Sequence, residues 1–193
     1  MTVKTIAFLV LLIPFLAACG EPRAMDDRAA SIYGSETRGE GASEDAPCIT
    51  KKTVIVRGTS MLPLLDDGAV LTLAEHFYEC GNLPQKGDLV AYDFAGNKFP
   101  LIKTVVATDQ STVTLEGDTL RVDGATLKNS AGKTYFFTDG EKQLLQMYFP
   151  EGKLPEDSML ILGDNTKNSE DSRKFGAVAI EDVLGRFFPR SAQ

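Results

Sequence analysis

Apolar and polar positions divide the 193-residue chain into three parts. Residues 1–18 carry Lys4 and then a 13-residue apolar run from Ile6 to Ala18, which is the length of a signal-peptide core and short of the about 20 residues a membrane span requires. Residues 19–47 are rich in Gly, Ser, Ala and acid with almost no large apolar side chains. Such a composition buries too little surface to offset ordering entropy and reads as a flexible tether. From Lys51 onward short β-type runs alternate with Gly, Asp-Gly, Asn and Pro punctuation. Strands are predicted at 52–57, 69–73, 88–94, 100–108, 112–116, 119–123, 133–138, 158–162 and 177–187. Asp123-Gly124 reads as a hairpin turn between two of these runs. Helical periodicity is confined to two short stretches, 73–79 and 141–148. The pattern predicts an all-β-dominated domain with one or two short helices over residues 48–193.

Charge and cysteine content narrow the function classes. A formal net charge of −7 and a pI near 4.8 leave no basic stripe to displace counterions from phosphates, so nucleic acid is excluded as a partner. The three cysteines, Cys19, Cys48 and Cys80, are spaced neither as a zinc site nor as a redox Cys-x-x-Cys pair. Leu16-Ala17-Ala18-Cys19-Gly20 resembles the bacterial lipobox. That resemblance implies acylation of Cys19, which would become the mature N-terminus and hold the chain to a membrane through several acyl chains; the alternative is an ordinary cleaved signal peptide with an incidental cysteine. With Cys19 set apart, Cys48 and Cys80 remain as an even pair in an exported protein, where oxidising conditions favour a disulfide. The alternative for that pair is two buried free thiols.

Candidate chemistry begins at Ser60. The run Thr53-Val54-Ile55-Val56 ends at Gly58, and Pro63 keeps the adjoining residues out of a regular central strand or helix interior. Ser60 therefore sits on a turn, either as a simple surface turn-former or as a presented hydroxyl. As a nucleophile it needs an adjacent base. The one histidine, His76, falls in a segment predicted to be an exposed short helix beside a cysteine, and reads as structural or solvated. A lysine can serve only if its ammonium is destabilised: lowering its pKa by about three units makes the charged form roughly 4 kcal/mol worse. Along Pro100–Ala107 a period of two places Leu101, Lys103, Val105 and Ala107 on one face, so Lys103 is the one charge on an apolar face. An inward lysine guarding an edge strand is the competing explanation.

Four blocks occur in order: Ser-Met-x-Pro-x-Leu at 60–65, Lys-Gly-Asp-Leu-Val at 86–90, Ile-Lys-Thr-Val-Val at 102–106 and Gly-Asp-Asn-x-x-Asn-Ser-x-Asp-Ser-Arg-x-Phe-Gly at 163–176. Together, over roughly residues 53–189, they resemble the type I signal peptidases, serine endopeptidases with a Ser/Lys dyad. The resemblance implies a β fold of antiparallel sheets, Ser60 as nucleophile and Lys103 as general base. It assigns Ser169 to hydrogen-bond and orient the lysine amine, and Asp171 and Arg173 to an ion pair that supports the site. The Ser60 backbone N–H would serve the oxyanion hole. Many relatives carry a serine where this chain has Gly58, so a second donor from that side chain is absent, and one such donor can be worth about 10²–10³ in rate. Relatives often have Arg at the position of Thr104, which on the strand reading faces away from Lys103.

The resemblance further implies an extended peptide substrate bound by strand addition and cut after small residues, with no cofactor. The substrate would be a signal peptide or a pilin-like segment. With the lipobox, it places the protein in the bacterial cell envelope, lipid-anchored and facing the periplasm or exterior. The rival is a non-catalytic peptide-binding envelope lipoprotein of the same fold. Three other motifs fail on their own terms. Asp164-x-Thr166-x-Asn168 lacks the Gly and terminal Glu of a calcium loop, Ser130-Ala131-Gly132-Lys133 reads as a turn and not a helix start, and Leu127 stands where a phosphate-binding loop needs its first glycine.

Overall fold

A computed structural model describes residues 31–33, 48–95 and 97–189. Its strands are β1 (Ser31–Tyr33), β2 (Thr50–Arg57), β3 (Val70–Glu75), β4 (Leu89–Tyr92), β5 (Leu101–Thr108), β6 (Val113–Glu116), β7 (Thr119–Val122), β8 (Ala125–Thr126), β9 (Ser158–Leu162), β10 (Val178–Ala179) and β11 (Val183–Pro189). The helices are α1 (Asp139–Tyr148) and α2 (Ser172–Phe175), with a 3₁₀ turn at Ile180–Asp182. Eight strands form one antiparallel sheet in the order β1-β2-β3-β11-β4-β5-β9-β10, and β1 also pairs with β5. That extra pairing closes a ring of six strands, from which β9 and β10 extend. The all-β-dominated, antiparallel expectation holds. The predicted signal peptide, Cys19 and most of the tether lie outside the described residues.

Side-chain alternation sorts the core. Val54, Val56, Leu71, Leu73, Ala91, Ile102 and Phe187 form one buried cluster with Met61 inside the ring. The opposite faces of β4 and β5 send Val90, Tyr92, Leu101 and Val105 into a second cluster with Met159 and Ile161. A third joins Val106 and Ala107 to the β6-β7-β8 sheet, α1 and β9 through Val113, Leu120, Leu145, Leu160 and Leu162. The β5–β9 register slips between Val105 and Ala107, so Ala107 does not share the face of Leu101 and Val105 as strict alternation predicts. A bulge shifts the pleat by one residue.

Other expectations fail for reasons of pairing. Residues 73–79 do not form a helix: Leu73–Glu75 belong to β3, hydrogen-bonded on both edges to β2 and β11. His76 then breaks the run with a φ of 62°. Residues 133–138 alternate, with Tyr135 and Phe137 buried and Phe136 exposed. Yet among the described residues they find no partner strand beyond one bridge between Lys128 and Thr134. The predicted strand at 177–187 is divided into β10, the 3₁₀ turn and β11. The Asp123-Gly124 hairpin does form, both residues adopting positive φ as a two-residue turn of this kind demands. The stretch predicted as tether contains β1, where Ile32 and Tyr33 bring two strand-forming residue types into a segment otherwise poor in them and pair through their backbone with β2.

Cys48 and Cys80 form the expected disulfide, with Cα atoms 5.9 Å apart across 32 residues. It fastens the start of the domain to the turn after β3. Loop-closure entropy for this separation is about 3–4 kcal/mol. The Cys48→Ser/Cys80→Ser protein is therefore expected to unfold at a lower urea concentration by that amount of stability. An unchanged midpoint contradicts it.

Candidate active site

β2 ends where Gly58 turns the chain with a φ of 93°, a conformation that side-chain-bearing residues rarely take. The Gly58 N–H donates to Asp67 Oδ1 at 3.1 Å. Residues 60–64 then make one tight turn, closed by Leu65 N–H on Met61 O at 2.8 Å and holding a cis Leu62–Pro63 bond. Met61 plugs the interior cluster, which draws the turn against the sheet and takes Ser60 to 0 % exposure. The sequence reading of Ser60 as a turn residue holds, but it lies beneath the surface.

Lys103 comes from the middle of β5 and is also 0 % exposed. Its Nζ lies 3.2 Å from Ser60 Oγ and donates to Ile102 O at 2.8 Å. Burial, the largest influence, pushes its pKa down from 10.5 to about 8, against the opposing pull of Asp171 and Glu170 and with smaller help from Arg173 and Lys174. This is the desolvation that a lone charge on an apolar strand face implies. Val90 is the β4 partner of Lys103. The block Lys86–Val90 fixes β5 beside it, since Gly87 N–H donates to Val105 O and Val105 N–H to Asp88 O, each at 2.8 Å. Asp88 is itself buried, held by Tyr78 Oη at 2.9 Å and Arg186 at 3.0 Å. Thr104 Oγ1 is buried without a partner among the described residues.

The loop after β9 braces this pair. Asn165 N–H donates to Ser60 O at 2.9 Å, and Asn165 Nδ2 to Thr59 O at 3.2 Å. The Asp164 carboxylate accepts from Leu64 N–H at 3.0 Å, Ser130 N–H at 2.8 Å and Ser130 Oγ at 2.5 Å. It therefore ties the serine turn to the loop before α1. Asp171 caps α2 and takes Gly163 N–H at 3.0 Å. Arg173 grips both Asp171 oxygens at 2.9 and 2.8 Å and spends a third N–H on Thr166 O at 2.6 Å. Burial would lower the Arg173 pKa, but the hydrogen bonds and charge of Asp171 outweigh it and hold it up.

Ser169 is 4 % exposed, and a Cβ at Gly163 would strike its Oγ and lie 2.6 Å from Ser60 O. Only glycine lets the late loop come this close to the serine turn. The hydrogen bond from Ser169 to the lysine amine is not made: Ser169 Oγ has no partner among the described residues. Lys103 Nζ is instead directed to Ser60 and Ile102. His76 is exposed and bonded to Glu79 Oε2 at 3.1 Å.

Sequence reasoning does not single out Gly163, Asp164, Asn165 or Ser130 as site residues. Asp164 and Asn165 stand inside a recognisable polar block, but their partners on the serine turn lie about a hundred positions away and no local spacing reveals them.

A model of the family described as signal peptidase, peptidase S26, matches residues 48–191. The chain belongs to that family. Signal peptidase IB of Staphylococcus aureus is 30% identical over 149 residues, covering 70% of this chain and 77% of that protein. Signal peptidase I T of Bacillus subtilis is 29% identical over 148 residues, covering 70% and 72%. A solved signal peptidase I from Enterococcus faecalis aligns with a TM-score of 0.42 at 27% identity, over 54% of this chain and 97% of that one. The S26 match spans all four blocks on which the resemblance rests.

Proposed function

We propose that this S26 protein is a serine endopeptidase in which Ser60 attacks and Lys103 serves as general base, cutting signal-peptide-like or pilin-like segments after small residues. The observation that carries the proposal is a fully buried amine 3.2 Å from a fully buried hydroxyl. With a pKa of about 8, about one tenth of the amine is unprotonated at pH 7. That fraction takes the Ser60 proton as Oγ adds to the scissile carbonyl, and the oxyanion is received by the Ser60 backbone N–H. Lys103 then returns the proton to the departing amine, leaving an acyl-serine. Water, deprotonated by the same amine, releases the acid and restores Ser60.

Ser169 acts as a positioning residue. A neutral amine has two N–H bonds and one lone pair: the lone pair faces Ser60 and one N–H meets Ile102 O, and Ser169 Oγ, without a partner among the described residues, supplies an acceptor for the other once the amine turns. Asp171 and Arg173 fix the loop that carries Ser169. Acylation at Cys19 anchors the domain to a membrane of the cell envelope through the segment 19–47, with the catalytic face toward the periplasm or exterior. A non-catalytic peptide binder gains nothing from a lysine buried at this cost.

Full-length chain in detergent micelles, given a fluorogenic Ala-x-Ala peptide, tests the reading. Only the free amine is active, so kcat/KM should rise about tenfold per pH unit up to about pH 8 and level off above it, and Ser60→Ala should fall to background. Cleavage that survives Ser60→Ala, or a rate flat between pH 6 and 9, defeats it.

A further inference from the structure

The strand β1 lies in a gap one strand wide. β2 gives one edge to β3, ending with Ile55 opposite Val70. Its other edge, at Ile55, Val56 and Arg57, is taken by Tyr33, Ile32 and Ser31. β5 gives one edge to β4, while its other edge meets β9 only from Thr104 onward. At Leu101 that second edge meets Ser31. Ser31 is thus paired on both sides at once, with Arg57 and with Leu101. Arg57 is three residues before Ser60 and Leu101 two before Lys103, so both strands run directly from this gap to the Ser60–Lys103 pair. Neighbouring strands stand about 4.8 Å apart, so the gap admits a single extended segment.

An extended peptide that is to reach Ser60 by strand addition needs these same two edges, because each presents unpaired backbone donors and acceptors when vacant. We propose that residues 31–33 are an intramolecular occupant of the substrate's strand position, so that the segment linking the domain to its N-terminus competes with substrate and must leave before cleavage. The inference rests on the peptidase reading given above. Because the occupant is covalently attached to β2 through the fourteen residues 34–47 and two more, pairing is intramolecular and its effective concentration is on the order of millimolar. A substrate then binds with an affinity reduced by the fraction of molecules in which the gap is vacant. If that fraction is between about one tenth and one third, the apparent KM is raised about three- to tenfold.

The test uses full-length chain in detergent with Ile32→Pro, which removes a backbone N–H from β1 and resists pairing, and a second variant lacking Ser31–Tyr33. Binding of a fluorescein-labelled Ala-x-Ala peptide is measured by anisotropy in the Ser60→Ala background, and cleavage is measured with Ser60 intact. Both variants are expected to lower the Kd and KM about three- to tenfold with kcat unchanged. A synthetic peptide of residues 27–37, added in trans to the deletion variant, should compete with the labelled peptide. Unchanged or weaker peptide binding in both variants overturns the proposal, as does a fall in melting temperature with loss of binding, which makes β1 a wall of the ring and not an occupant. Cleavage at unaltered KM sinks the occupancy and leaves the peptidase intact. Tightened binding with no Ser60-dependent cleavage does the reverse.

Discussion

Lys103→Met should abolish peptide cleavage and yet make the protein harder to unfold at neutral pH. General-base removal costs about 10²–10⁴ in rate, so kcat/KM is expected to fall by at least two orders of magnitude. The gain in stability comes from the direction of the pKa change. Folding lowers the Lys103 pKa from 10.5 to about 8, so the folded state disfavours the charged amine. The penalty is present in full below about pH 8 and fades as the pH climbs toward 10.5, where the unfolded chain also loses its proton. It amounts to about 3 kcal/mol. Losing the hydrogen bond to Ile102 O takes back about 1 kcal/mol, leaving a net gain of about 2 kcal/mol at pH 6 that turns into a net loss of about 1 kcal/mol as the penalty fades toward pH 10.5. Urea denaturation at the two pH values checks this, and a methionine variant less stable than wild type at pH 6 refutes it.

Arg173→Met should have the opposite effect on stability. Asp171 is 0 % and Arg173 3 % exposed, and the guanidinium binds the carboxylate through two bonds. Removing it strands a buried carboxylate and frees the Thr166 carbonyl, a change that costs about 3–5 kcal/mol. Arg173 also helps to hold the Lys103 pKa down while Asp171 pulls it up. Without the arginine the pH–rate curve should move toward higher pH. Arg173→Lys should recover only part of the stability, since an ammonium cannot reproduce the forked geometry. If Arg173→Met melts like wild type, or its pH–rate curve stays in place, the bracing role assigned to this ion pair is wrong.

How much of the molecule is legible in its sequence depends on the range of the forces involved. A strand's period of two makes Lys103 the one charge on an apolar face, and Gly58 and Pro63 put Ser60 on a turn, but each pattern alone also fits an edge-strand lysine and a surface turn serine; the four ordered blocks are what join the two residues in one reading. The Cys48–Cys80 pair is readable from export. Nothing local foretells that Leu73–Glu75 are captured between β2 and β11, since helix and strand periodicities are nearly degenerate over so short a stretch. The same limit applies to 133–138: alternation says which side chains go inward, while strand formation needs a second backbone at the right distance. The side chain of Asp164 binds Leu64 and Ser130, 100 and 34 positions away. Such a role depends on the assembled fold, as does the space that only Gly163 leaves between Ser169 and Ser60.

The position of His76 bears on how such a protein could be blocked. The chain's one imidazole sits in a turn, exposed and engaged by Glu79. Alkylating reagents that capture a serine and then fasten onto a neighbouring imidazole would meet a lysine beside Ser60 instead. Warheads that acylate the hydroxyl and leave a group the amine can protonate suit this pair better, and they offer a route to selectivity over histidine-dependent hydrolases.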